Sequence, residues 1–122
     1  MGKSLLYITV IFFACGGAYA QNASKLMREG LTAYKQGDFT QSIAKYAKAL
    51  EKGVDKNLAN YNMGAAYYKA GKPDSALMYW QTVATTDGDK ELQAKAWHNI
   101  GNSFIKQRNF EKAADAYKRA LK

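Results

Sequence analysis

The chain has one cysteine and one histidine in 122 residues, and each scarcity removes a class of explanation. Cys15 lies in an apolar stretch near the amino end. The rest of the chain therefore has no disulfide framework and no thiolate metal site, and must hold its fold by packing alone. His98 has no second histidine to pair with, there is no Gly-rich phosphate loop, and Asp87-Gly88-Asp89 lacks the ligand series of a calcium loop. No set of nucleophile, base or metal ligands is legible. The reading is of a protein without catalysis, cofactor or metal.

Acidic residues are also few, 10 against 18 basic ones, for a formal net charge of +8. The basic residues are scattered singly, with no run longer than Lys118-Arg119, which describes a solvated surface better than a nucleic-acid stripe. What is present begins with MGKSLLYITVIFFACGGAYA. A basic start at Lys3, an apolar run from Leu5 to Cys15 and the small-x-small triplet Ala18-Tyr19-Ala20 form a secretory leader over residues 1–20, with cleavage expected between Ala20 and Gln21. Two alternatives fit less well. A retained anchor needs about 20 apolar residues, and a lipidated Cys15 would follow the bulky Phe13. Each places the folded part across a membrane, since Lys3 keeps the amino end inside. Without Lys3, 17 basic side chains face 10 acidic ones, a formal +7.

Residues 59–67 read ANYNMGAAY and residues 96–104 read AWHNIGNSF. Aligning Gly30, Gly64 and Gly101 gives spacings of 34 and 37 and brings the rest into register. AYKQGDF, AYYKAGKP and SFIKQRNF share one slot; SIAKYAKAL, SALMYWQTVA and KAADAYKRAL share the next. Each unit divides into two amphipathic helices, with apolar or small residues at spacings of three and four. The stripes are Trp97, Ile100, Gly101 and Phe104 in a first helix, and Phe110, Ala113, Ala114, Tyr117, Ala120 and Leu121 in a second. Gly37 and Gly71 suit left-handed helix caps, and Pro73 suits the opening turn of a helix. A glycine within a helix costs about 1 kcal/mol relative to alanine, so Gly30, Gly64 and Gly101 predict close approach of the partner helix, with Ser42, Ala76 and Ala113 as the facing small residues. The three extra residues of the second interval fall in TTDGDKELQ, and Asp87, Gly88 and Asp89 place them in a loop.

These residues resemble the tetratricopeptide repeat: the period of 34, Trp97-x2-Ile100-Gly101-x2-Phe104, and Ala113 with Ala120. The resemblance covers about residues 23–122. It implies an all-α solenoid of antiparallel helix pairs with units at 23–56, 57–93 and 94–122, the last one shortened and without a capping helix. The first copy departs most, with Glu29 before its glycine and Ala33 at a usual aromatic position. The leader, the insertion and the stretch from Ala94 to Lys122 further resemble the small envelope repeat proteins of bacterial aerotolerance operons. That implies an envelope setting and partners among membrane-bound von Willebrand A-type proteins.

In such a solenoid the first helix of each pair lines the concave side. With Trp97 as zero and about 100° per residue, Ile100, Gly101 and Phe104 cluster beside it, whereas Lys95, His98, Asn102 and Lys106 centre opposite. The expected groove residues are Tyr34 and Lys35; Tyr61, Asn62, Tyr68 and Lys69; and His98, Asn99, Asn102 and Lys106. Tyrosine rings, asparagine amides and lysine charges suit an extended peptide or partner helix. Some members of the family grip a chaperone's C-terminal carboxylates; here those places hold Met27, Leu31, Asn62, Lys95 and Asn99, of which only Asn62 and Lys95 agree. Chaperone-tail binding of that kind is disfavoured. The expected function is a protein-interaction scaffold. Self-assembly through Tyr117, Ala120 and Leu121 at the uncapped end, or binding of nucleic acid or another anionic polymer by the basic surface, are the alternatives.

Overall fold

The computed structural model describes residues 22–122; the expected leader, with Cys15, lies outside them. Among the described residues there is no strand. Six helices follow in order: α1 over 22–35, α2 (Phe39–Glu51), α3 (Lys56–Lys69), α4 (Pro73–Thr85), α5 (Lys90–Lys106) and α6 (Phe110–Ala120). Turns of three residues, at 36–38, 70–72 and 107–109, join α1 to α2, α3 to α4 and α5 to α6. Such short connections force antiparallel neighbours.

Local chemistry sets the helix limits. Asp38, Asp55, Asp89 and Asn109 cap α2, α3, α5 and α6 by accepting from backbone N–H groups of the first turn. Lys72 gives α4 no side-chain cap, and Pro73 at its opening needs no N–H partner. Each first helix closes alike. Asp38 N donates to Ala33 O, Lys72 N to Tyr67 O and Asn109 N to Phe104 O, all at 2.9 Å, across a residue with positive φ. That residue is Gly37 (80°), Gly71 (80°) and, in the third pair, Arg108 (59°), which carries the left-handed strain that glycine avoids.

The three-residue insertion does not enlarge a loop. The connectors 52–55 and 86–89 have equal length, whereas α5 has 17 residues against 14 in α3. Lys90-Glu91-Leu92 therefore adds nearly one turn to the front of α5. Asp89 caps that turn from the N–H groups of Glu91 and Leu92, at 2.9 and 3.2 Å, and its residues are good helix formers. Asp87 and Gly88 remain in the connector.

The helical glycines also differ in detail from expectation. The space a Cβ would take is filled by a ring, not by the small residue opposite. A Cβ would lie 2.6 Å from Tyr46 Cε1 at Gly30, 2.5 Å from Trp80 Cδ1 at Gly64 and 2.5 Å from Tyr117 Cε1 at Gly101. Ser42 reaches the backbone beside its glycine, donating from Oγ to Gly30 O at 2.8 Å. Ala76 and Ala113 are buried in the corresponding places. Burial of rings of this size outweighs the helix-propensity cost of glycine, at roughly 1.5–3 kcal/mol per large apolar side chain.

The pairs stack through α2 on α3 and α4 on α5. The first helices α3 and α5 also touch, and no comparable contact joins α2 with α4 or α4 with α6. The stack fans open on the side of the second helices, so α1, α3 and α5 form the inner face. Its central core is Ala76, Trp80, Val83, Ala84, Ala96, Ile100 and Ala116, with Tyr61, Tyr68, Leu92 and Trp97 packed around it.

Candidate functional site

On the inner face a cavity of about 460 Å³ is lined from all three pairs: Tyr34 from α1, Ala65 and Tyr68 from α3, Asn99, Asn102, Ile105 and Lys106 from α5, with Trp80 of α4 behind them. Its position follows from helical spacing. Residues three and four apart on α5 share one face, so Asn99, Asn102 and Lys106 stand in a row across from Tyr68. Tyr34 is steered by an edge-on contact with Phe39, ring centroids 5.5 Å apart.

The polar groups are partly committed to one another. Asn99 Nδ2 donates to Tyr61 Oη at 3.1 Å, a bond between neighbouring pairs. Trp80 Nε1 donates to the Tyr61 carbonyl at 3.2 Å. The Tyr117 hydroxyl donates to Asn102 Oδ1, which leaves the Asn102 amide N–H₂ for a ligand. Lys106 Nζ stands 4.7 Å from the centre of the Tyr68 ring, and Tyr68 in turn packs on Trp80 at 5.6 Å. Burial, with a smaller contribution from Tyr61, pushes the Tyr34 phenol above its ordinary range, so it remains a neutral hydroxyl at physiological pH. Among the described residues no carboxylate lines the cavity. It offers apolar walls, amide and hydroxyl groups, and one ammonium.

Of the expected groove residues, Tyr34, Tyr68, Asn99, Asn102 and Lys106 line this cavity. Tyr61 lies beside it, as the Asn99 partner. Asn62 is half-buried and does not line it, and Lys35 and Lys69 are exposed away from it. His98 is exposed, with its ring 5.4 Å from that of Tyr117. Trp80 was missing from the expected set because, with Ala76, Leu77 and Val83, it forms an apolar stripe that reads as core. The signal that marks it is its place opposite Gly64, where the absent Cβ lets the indole reach across α3. Trp97, expected in the stack, is half-buried with the Arg119 guanidinium 5.0 Å above its ring. Ala120 is half-buried and Leu121 is 89% exposed. Among the described residues no group of three or more His, Cys, Asp or Glu is placed to hold a metal ion, and no helix is long and apolar enough to cross a membrane.

Comparison with known proteins finds the same architecture elsewhere. Residues 55–122 match the family model described as tetratricopeptide repeat. Stress-induced-phosphoprotein 1 of Caenorhabditis elegans is 34% identical over 96 residues, covering 75% of this chain and 30% of that protein. Photosystem I assembly protein Ycf3 of Acaryochloris marina is 26% identical over 117 residues, covering 84% and 70%. Human tetratricopeptide repeat protein 12 is 26% identical over 99 residues, and the chain spans only 14% of its length. Among solved structures, the N-terminal domain of STI-1 from C. elegans superposes with a TM-score of 0.75 at 29% identity, covering 85% of each chain. The complex of the TPR2AB domain of yeast Sti1 with pHSP90 gives a TM-score of 0.78 at 26% identity, covering 84% of this chain and 41% of that one.

Proposed function

This chain belongs to the tetratricopeptide repeat family, and on that premise we propose that it is an exported, non-enzymatic scaffold that holds a segment of a protein partner in its inner groove. The observation that carries this reading is the cavity shared by all three helix pairs. A site assembled from three repeats favours an elongated ligand, and its tyrosines supply rigid contact area at low entropic cost. The yeast Sti1 relative was solved in complex with pHSP90. In this chain Met27 and Leu31 stand where a carboxylate-gripping relative would place Lys and Asn, so we assign the groove a different segment. Export is supported by the leader pattern of residues 1–20. The resemblance to small envelope repeat proteins favours a partner in a bacterial cell-envelope complex.

The test is crosslinking in the native envelope with a photoreactive residue replacing Ile105, which lines the groove and is 42% exposed. One discrete partner, no longer captured when Lys106→Glu and Tyr68→Ala are added, is the expected outcome. Capture of further copies of this chain alone would instead favour self-assembly. Undiminished capture in the double variant would remove the groove as the binding site.

A further inference from the structure

The opposite, outer side of the molecule carries a second cleft that the groove reading does not use. Because α4 and α6 diverge, the first turns of α5 lie open between them, with the Trp97 ring as floor. Two adjoining cavities, of about 210 and 560 Å³, share Ala84, Trp97, Arg119 and Lys122 in their walls. Lys90 joins the first and Lys118 the second, so four basic side chains line the two cavities, and one of them, Arg119, lies over the Trp97 ring. Among the described residues Asp115 is the one acidic side chain in either lining, and it is already engaged: its Oδ2 accepts from Arg119 Nε at 3.1 Å. That bond and the Trp97 ring hold the guanidinium in place and leave its terminal nitrogens for a carboxylate fork.

The protein contains its own control for this cleft. The matching place between α2 and α4 has Asn60 where Trp97 stands, and Gln81 and Thr82 where Lys118 and Arg119 stand. It has no counterpart of Lys90 within a helix, because Lys90 belongs to the extra turn of α5. Charge and aromatic floor are thus properties of one cleft, not of the repeat.

From this we infer that the outer cleft between α4 and α6 binds an acidic peptide segment of a protein partner, independently of the inner groove. Recession of Trp97 between two helices disfavours a flat lipid surface. A stacked nucleobase is disfavoured because one face of the indole packs on the core and the other lies under Arg119. An extended chain bearing carboxylates satisfies Lys90 at the start of α5 and Lys118 and Arg119 of α6 at once.

The test uses the full chain and a fluorescein-labelled peptide of alternating Glu and Asp around one Phe, followed by anisotropy and by the Trp97 indole N–H resonance. The expected result is saturable binding that shifts the Trp97 signal and weakens with salt. The exposed pair Lys90→Glu and Lys118→Glu should weaken it by about tenfold or more, as expected when charge-assisted contacts are reversed. Lys106→Glu in the inner groove, and an equal charge reversal at Lys56 and Lys72, should leave it unchanged. No saturable binding at low salt, or equal weakening by the control reversals, would overturn the inference. So would stronger binding of single-stranded DNA or phosphatidylglycerol vesicles at the same residues. Lys106→Glu separates this site from the groove, so either can fail alone.

Discussion

Trp80 and Tyr117 occupy the same place in successive helix pairs, sixteen residues after Gly64 and Gly101, yet their surroundings differ. Trp80 is 3% exposed and belongs to a core completed by Ala96 and Ile100 of α5. Tyr117 is half-buried, with its hydroxyl on the exposed Asn102 and His98 beside its ring. The joint between glycine and ring is made within each pair. Burial of the ring is supplied by the helix that follows. A repeat therefore specifies its own geometry but only part of its own stability, as expected where neighbours share a continuous core.

That comparison can be broken most directly by removing the rings. Trp80→Ala should destabilise the chain by about 3–5 kcal/mol, the range for a large aromatic in a closed core, and Tyr117→Ala by roughly half as much or less, because its ring is only half buried. Equal losses in denaturant titrations would show that α5 adds nothing to Trp80. The glycines give a finer version. At Gly64→Ala the new methyl meets a buried indole packed against α5 and Tyr68, so an overpacking cost of about 1–3 kcal/mol outweighs the gain in helix propensity. Gly101→Ala should be near neutral, since Tyr117 can swing toward solvent. A melting curve as strongly lowered at Gly101 as at Gly64 would contradict this.

The third pair also departs from the second at two repairable positions. Arg108→Gly relieves left-handed backbone and should stabilise by about 0.5–1 kcal/mol. Ser103, whose buried hydroxyl has no partner where the second pair has Ala66, should gain about 1 kcal/mol as Ser103→Ala. Loss of stability from either change would mean that these residues are better accommodated than the geometry indicates.

The smallest expected effect lies in the first pair. Glu29 accepts from Lys45 Nζ at 2.7 Å and has Lys25 at 3.9 Å. The hydrogen bond from Lys45 is the main cause that holds its carboxyl below the usual range. With a depressed folded pKa, its contribution is present above the unfolded value and is lost as pH falls through the folded one. Stability measured between neutral and acid pH should therefore decline slightly less in Glu29→Gln than in the parent. Identical pH profiles would show the pair to be energetically silent.

Much of this molecule was legible from spacing. The glycine register, the apolar stripes and the caps at Gly37, Gly71 and Pro73 describe three helix pairs, because side-chain periodicity is a local property of the backbone. Five of the ten expected groove residues line the cavity, those on the faces of α1, α3 and α5 turned toward one another. Lys35, Lys69 and His98 missed it because a helical wheel fixes direction but not the curvature that decides which side chains converge. The insertion was misplaced for a related reason. Asp87-Gly88-Asp89 does mark a connector, but whether added residues lengthen a loop or a helix depends on where the cap forms, and Asp89 forms it early enough to make Lys90-Glu91-Leu92 helical.

Amino-acid order by itself therefore determined the helices, their pairing and the positions where a glycine faces a partner, since each depends on contacts within about one repeat. Tertiary structure alone decided that rings rather than small residues fill the glycine hollows, that Trp80 reaches the inner groove, and that divergence of α4 from α6 opens a basic cleft over Trp97. Those outcomes depend on how neighbouring pairs tilt and which large side chains the gaps admit, which no single stretch of chain encodes.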